Sequence, residues 1–166
     1  MTDAVATKTQ AKPQAMTREV TLTRTFDAPR ALVWSACTEP KHMAQWWGPH
    51  HFTNPVCEMD VRPGGKLMIH MKAPDGTVYP MTGTFTQIEK PSRLVFKAFA
   101  EALDGTKYLE SVTEVTFEEQ GARTRLTVTA KARGLHPAAP QMLAGMDAGW
   151  SQSLERLAAL VGTAAK

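Results

Sequence analysis

Very little net charge is present: 19 Lys and Arg stand against 16 Asp and Glu, a formal +3 over 166 residues. Lys8 and Lys12 against Asp3 put +1 of that in the first 16 residues and leave +2 for the remainder. A surplus this small offers no footprint for a nucleic-acid backbone. Cysteine is scarce as well. Cys37 and Cys57, the only two, lie in apolar surroundings without C-x-x-C spacing, which excludes a disulfide framework and argues for buried free thiols in a reducing cytoplasm. No apolar run approaches 18 residues, so no membrane-inserted helix is expected. The opening MTDAVATKTQAKPQAM has no apolar stretch of the signal-peptide kind and reads as a disordered extension over residues 1–17. Isoleucine and tyrosine occur only twice each, whereas methionine occurs nine times and tryptophan four. Hydrophobic content of 43% with 21% charged residues is that of a globular chain, and the length suits one domain, residues 18–163.

Catalytic and metal signatures are missing too. There is no Ser-His-Asp arrangement, no H-E-x-x-H and no phosphate-cradling glycine loop; Gly64-Gly65 is turn chemistry. Of the five histidines, His42, His50, His51 and His136 fall in helix or loop segments, and His70 alternates onto an outward face with Lys66 and Lys72. His50 and His51 beside Cys57 cannot readily converge on one ion. Neither a metal nor a cofactor is expected, and the balance leans away from an enzyme.

What is present is periodicity. Val20, Leu22 and Phe26 alternate with Thr21, Thr23 and Thr25, a half-buried strand. Asp27 ahead of Pro29 predicts a helix start with Asp27 as N-cap, running through Leu32–Ala36 and stopping before Pro40. A short helix, KHMAQWW, follows and ends at Gly48-Pro49. From Phe52 to Arg133, strands alternate with turns at Arg62–Gly65, Pro74-Asp75-Gly76, Glu89–Ser92, Asp104-Gly105 and Gln120-Gly121. Six strands here and the first make seven, antiparallel because the turns are short. After Gly134 the period becomes helical through Met142, Met146, Trp150, Leu154, Leu157 and Val161, which predicts one continuous rod near 35 Å. The order is one strand, two helices, six strands and a final helix: an α+β fold, β-α-α-(β)6-α.

The stretch FDAPRALVWSACTEPKHMAQWWGP, the C-x-x-D-x-R-P-G-G of Cys57 to Gly65, Pro74-Asp75-Gly76, the G-T-F-x-x-I of Gly83 to Ile88, PSRLVF at 91–96 and the G-W-x-x-x-L of Gly149 to Leu154 follow one order. Together they resemble the SRPBCC superfamily, with its START-like or birch-pollen-allergen-like helix-grip fold. Within it they are most similar to homologues of the activator of the 90-kDa heat-shock protein ATPase. The resemblance covers residues 18–162. It implies a curved seven-stranded antiparallel sheet wrapped around a long C-terminal helix, with a hydrophobic cavity between them. Superfamily members include lipid carriers, hormone receptors, aromatic polyketide cyclases and oxygenase domains, and fold does not select among these.

The alternation puts Leu67, Ile69, Met71, Tyr79, Met81, Phe85, Leu94 and Phe96 on the helix-facing side, opposite Met142, Met146 and Trp150. Trp46 and Trp47 point about 100° apart on a helix, so one is assigned to the core and Trp47 to the cavity. Arg24, sharing the face of Val20, Leu22 and Phe26, is placed either at the sheet rim or on a ligand oxygen, and Tyr79 is the other candidate polar contact. The expected ligand site is therefore Trp47, Leu67, Ile69, Met71, Tyr79, Met81, Phe85, Phe96, Met146, Trp150 and Arg24. Its expected partner is a hydrophobic small molecule, lipid or aromatic. A cyclase or dehydratase using Tyr79 or Arg24, and an interaction protein binding a chaperone, are the alternatives; a homodimer is left open.

Overall fold

The computed structural model describes residues 16–162. β1 (Thr17–Phe26) leads into α1 (Arg30–Thr38) and α2 (Pro40–Trp46). Six strands follow: β2 (Thr53–Met59), β3 (Lys66–Lys72), β4 (Val78–Glu89), β5 (Arg93–Glu101), β6 (Lys107–Gln120) and β7 (Arg123–Gly134). The chain closes with α3 (Ala139–Ala144) and α4 (Met146–Val161). The expected extension lies outside the described residues up to position 15, and Thr17 is already paired with Arg133.

The strands form one curved antiparallel sheet in the order β1-β7-β6-β5-β4-β3-β2. All neighbours except β1 and β7 are consecutive, as short turns require; the first strand instead adds onto the last. Thr25 and Phe26 end β1 and Pro29 caps α1, without a side-chain cap bond. Asp27, expected as the cap, lies too far upstream to be one, and its carboxylate instead faces Arg123 at 3.6 Å.

A second departure concerns the final helix. The structure breaks it at Gly145, whose ψ of −1° departs from helical geometry and whose N–H turns back to the carbonyls of Gln141 and Met142. Glycine is a weak helix former, so little is lost by interrupting the rod there. α3 anchors Ala139 and Leu143 in the interior beside β7, and α4 alone, about 24 Å long, crosses the sheet.

Register sorts the concave face into two halves. At one end, Phe85 pairs with Phe96, Leu94 with Val115 and Phe117 with Leu126, all buried. Trp34 from α1 meets Phe117 edge-on at 5.1 Å, and Leu154, Leu157 and Val161 of α4 close the layer. At the other end the residues are small. Gly83 pairs with Ala98, Ala98 with Ser111, Ser111 with Ala132, and Thr113 with Ala130. The grip is packed solid where side chains are large and cannot be filled where they are small.

Candidate functional site

Over the small-residue half lies a cavity of about 790 Å³, within the range of sites that enclose a small organic molecule. Its floor is Ala100, Ser111, Thr113, Ala130 and Ala132. Four methionines line it: Met71 and Met81 from the sheet, Met142 and Met146 from either side of the Gly145 break. Thioethers on unbranched stems adapt to irregular shapes. Trp47, Phe96 and Trp150 form its deep end, with Trp47 standing 5.3 Å from Trp150 in an edge-on arrangement and 6.4 Å from Phe96.

The two adjacent tryptophans divide the work. Trp46 is buried, its Nε1–H donating to the Ala36 carbonyl at 2.8 Å, which locks α2 onto α1. Trp47 ends α2 and turns into the cavity. The loop after it is fastened to α4 by a row of polar bonds. Arg156 Nη1 donates to the carbonyls of Trp47, Gly48 and Pro49 at 3.0–3.1 Å, and Nη2 to that of Gln45 at 3.1 Å. A cation on the last carbonyls of α2 also complements that helix's negative end. Burial pulls the Arg156 guanidinium below its ordinary value. Gly48 N–H donates to Ser153 Oγ and His50 N–H to Gln152 Oε1, both at 3.0 Å. Gly48 has φ +96°, and a Cβ there would sit 2.9 Å from Met71 Sδ, so glycine is required where the loop crosses the cavity wall.

Two similar turns make the rim. Asp75-Gly76-Thr77 joins β3 to β4, and Asp104-Gly105-Thr106 joins β5 to β6. In each the threonine N–H donates to the aspartate Oδ1 at 2.9 Å, which holds that carboxyl below its usual range, and each glycine has φ +92°. Tyr79 and Leu103, 42% and 70% exposed, stand beside these turns as the apolar lip.

Of the residues singled out in the sequence, Trp47, Met71, Tyr79, Met81, Phe96, Met146 and Trp150 come together around the cavity. Leu67, Ile69 and Phe85 share the same face but sit in the packed core, each at most 2% exposed. Arg24 is elsewhere: it donates to the Thr23 carbonyl and to Ser151 Oγ, tying β1 to α4. The alternation puts Thr113 on the inward face with Val115 but missed Ser111, Ala130 and Ala132, because it ranks large apolar residues and a cavity forms where these are lacking. The run Ala130, Ala132, Gly134 at every second position was the available signal.

A long helix gripped by a curved antiparallel sheet over an apolar cavity defines a helix-grip domain of the hydrophobic-ligand-binding type. The family described as Activator of Hsp90 ATPase homolog 1-like protein matches residues 27–162, and the chain belongs to it. Protein CV1439 of Chromobacterium violaceum is similar at 25% identity and a TM-score of 0.75, over 87% of this chain and 96% of that one. A protein from Arthrobacter aurescens is 28% identical with a TM-score of 0.72, covering 85% of this chain and 84% of its own. Protein Ms6760 of Mycobacterium smegmatis is 26% identical with a TM-score of 0.71, covering 89% and 91%. No functionally curated protein matches the chain.

Proposed function

We propose that the protein binds and sequesters a hydrophobic small molecule, lipid or aromatic, in the cavity between sheet and α4. The observation that carries this reading is the make-up of the walls: four methionines and five aromatic rings over a floor of three alanines, Ser111 and Thr113. Binding is favoured over catalysis by the polar inventory. Among the described residues no histidine, lysine, arginine or cysteine lines the cavity. The one carboxylate, Glu101, accepts from Thr82 Oγ1 at 2.5 Å and pairs with Lys107 at 3.4 Å. An acid–base reaction needs a titrating group within hydrogen-bond reach of its substrate. Arg24, the candidate carbonyl polariser, is engaged with Ser151, and Tyr79 stands at the lip.

Titration with N-phenyl-1-naphthylamine, a neutral apolar dye, tests the reading. Saturable dye fluorescence with quenching of the Trp47 and Trp150 emission is expected, and a Met146→Arg variant that melts normally should lose both. Absence of any saturable signal in the unaltered protein would overturn it. Turnover of a chaperone ATPase that rises on adding the protein, with no dye binding, would favour the interaction reading instead.

A further inference from the structure

We infer that the cavity selects an uncharged apolar molecule bearing one hydroxyl or carbonyl oxygen, and that Thr113 engages that oxygen at the closed end. This rests on the binding reading above and narrows it to a ligand class. Three polar side chains are buried among the described residues: Thr113, Thr124 and Ser153. Two are fully used. Thr124 Oγ1 donates to the Ala28 carbonyl at 2.8 Å; Ser153 Oγ donates to the Gly149 carbonyl at 2.9 Å and accepts from Gly48 N–H. The Thr113 hydroxyl has no hydrogen-bond partner among the described residues, although the residue is only 2% exposed.

Such a group calls for an explanation, because a buried hydroxyl left unpaired costs stability. Asn54 Oδ1 is the one fully covered side-chain polar atom without a partner among the described residues, so the Thr113 hydroxyl keeps some accessible surface. Register says where that surface opens. Thr113 lies between Phe96 and Ala130 on the concave face, and all three line the cavity. Ser111, two residues earlier and on the same face, adds a second hydroxyl without a partner among the described residues. A ligand hydroxyl or carbonyl arriving there meets donors and acceptors set between Phe96, Ala130 and Ala132.

Charge defines what is refused. A carboxylate or phosphate carried to this depth would find no lysine, arginine or histidine among the lining residues, and a buried charge without a partner is strongly disfavoured. An ammonium would meet one lining carboxylate, Glu101, which is already paired with Lys107 and accepts from Thr82. Otherwise it would meet the rings of Trp47, Phe96 and Trp150, where the near-perpendicular packing of Trp47 on Trp150 already engages a ring face with a ring edge.

The test is displacement of N-phenyl-1-naphthylamine at neutral pH by ten-carbon compounds differing only in their end group: decane, decan-1-ol, decanoate and decylammonium. Decan-1-ol should compete roughly 3- to 10-fold better than decane, the ratio one net hydrogen bond gives, and both ions should compete worse than decan-1-ol. Thr113→Val, which keeps the shape, should abolish the advantage of decan-1-ol over decane; Thr113→Ser should keep it. Equal competition by decane and decan-1-ol, survival of the preference in Thr113→Val, or an ion binding best would overturn the inference. Binding of all compounds without preference would remove this inference alone. Failure of the dye and every ten-carbon compound to bind would remove it together with the reading it rests on.

Discussion

Replacing Ala132 by Leu adds an isopropyl group to the cavity floor, where its cross-strand neighbours are Ser111 and Arg18. The new atoms occupy vacant space rather than displacing packed ones, so stability should stay within about 1 kcal/mol of the parent. Dye affinity should fall at least tenfold, and a melt paired with a dye titration checks both. The opposite change at the packed end, Phe117→Ala, should cost about 3–5 kcal/mol, because Trp34 and Leu126 cannot close the gap. The thiols give a third residue-scale outcome. Burial pushes Cys57 up from its ordinary 9.0 to about 11 and pushes Cys37 higher still, and both are free. Since the folded values are raised, the unfolded chain releases thiol protons first, and stability should decline as pH rises above 9. Below that pH, labelling by a thiol reagent should be slow at Cys57 and absent at Cys37 until the protein unfolds.

At the scale of elements, most of the architecture was legible in the sequence. Strict alternation in β1, β6 and β7, and glycines in tight turns, carry the pattern locally, so seven strands and the two helices after β1 could be read directly. The broken C-terminal rod could not. Gly145 and Gly149 have the same intrinsic propensity, yet only Gly145 leaves the helix, because α3 is held by Ala139 and Leu143 while α4 is held by Leu154, Leu157 and Val161. That choice belongs to tertiary packing. The same holds for Arg156, which looks like an ordinary surface residue of a helix but fastens α2 and its loop. An Arg156→Met variant retains the stem and loses four bonds to carbonyls; destabilisation on the order of 2 kcal/mol is expected. That corresponds to a melting point lower by roughly 4–8 °C, with weaker dye binding as Trp47 loosens. The rim turns respond to acid. Their aspartates are held below the ordinary 3.8, so the stabilisation is complete above that value and is lost as pH falls through the lowered one. Amide exchange at Thr77 and Thr106, followed as pH is lowered from neutral through the acid range and corrected for intrinsic rates, should show protection lost at both.

For the molecule as a whole, a ligand that occupies the cavity binds the folded state alone. Free dye at a hundred times its dissociation constant should stabilise it by about 2.7 kcal/mol, read as a melting point that climbs with the logarithm of concentration. Which half of the grip is solid and which is open was only half legible. The aromatic and methionine walls stood out in the sequence, while the alanine floor that makes room for a ligand carried no hydrophobic signal. No helix among the described residues is long and apolar enough to cross a membrane.

The pairing of β1 with β7 bears on how the chain reaches this state during synthesis. Thr17 meets Arg133 and Phe26 meets Thr124, so the first strand made must wait for the last before either edge is satisfied. On the ribosome β2 to β6 can zip hairpin by hairpin, but β1 remains an unpaired edge until residue 133 has emerged, and α4 is later still. Contacts of such separation close slowly, and exposed edges in the interval invite pairing with other chains. Folding of the nascent protein is therefore expected to complete in one late step, making translation speed through β7 and α4 a determinant of yield.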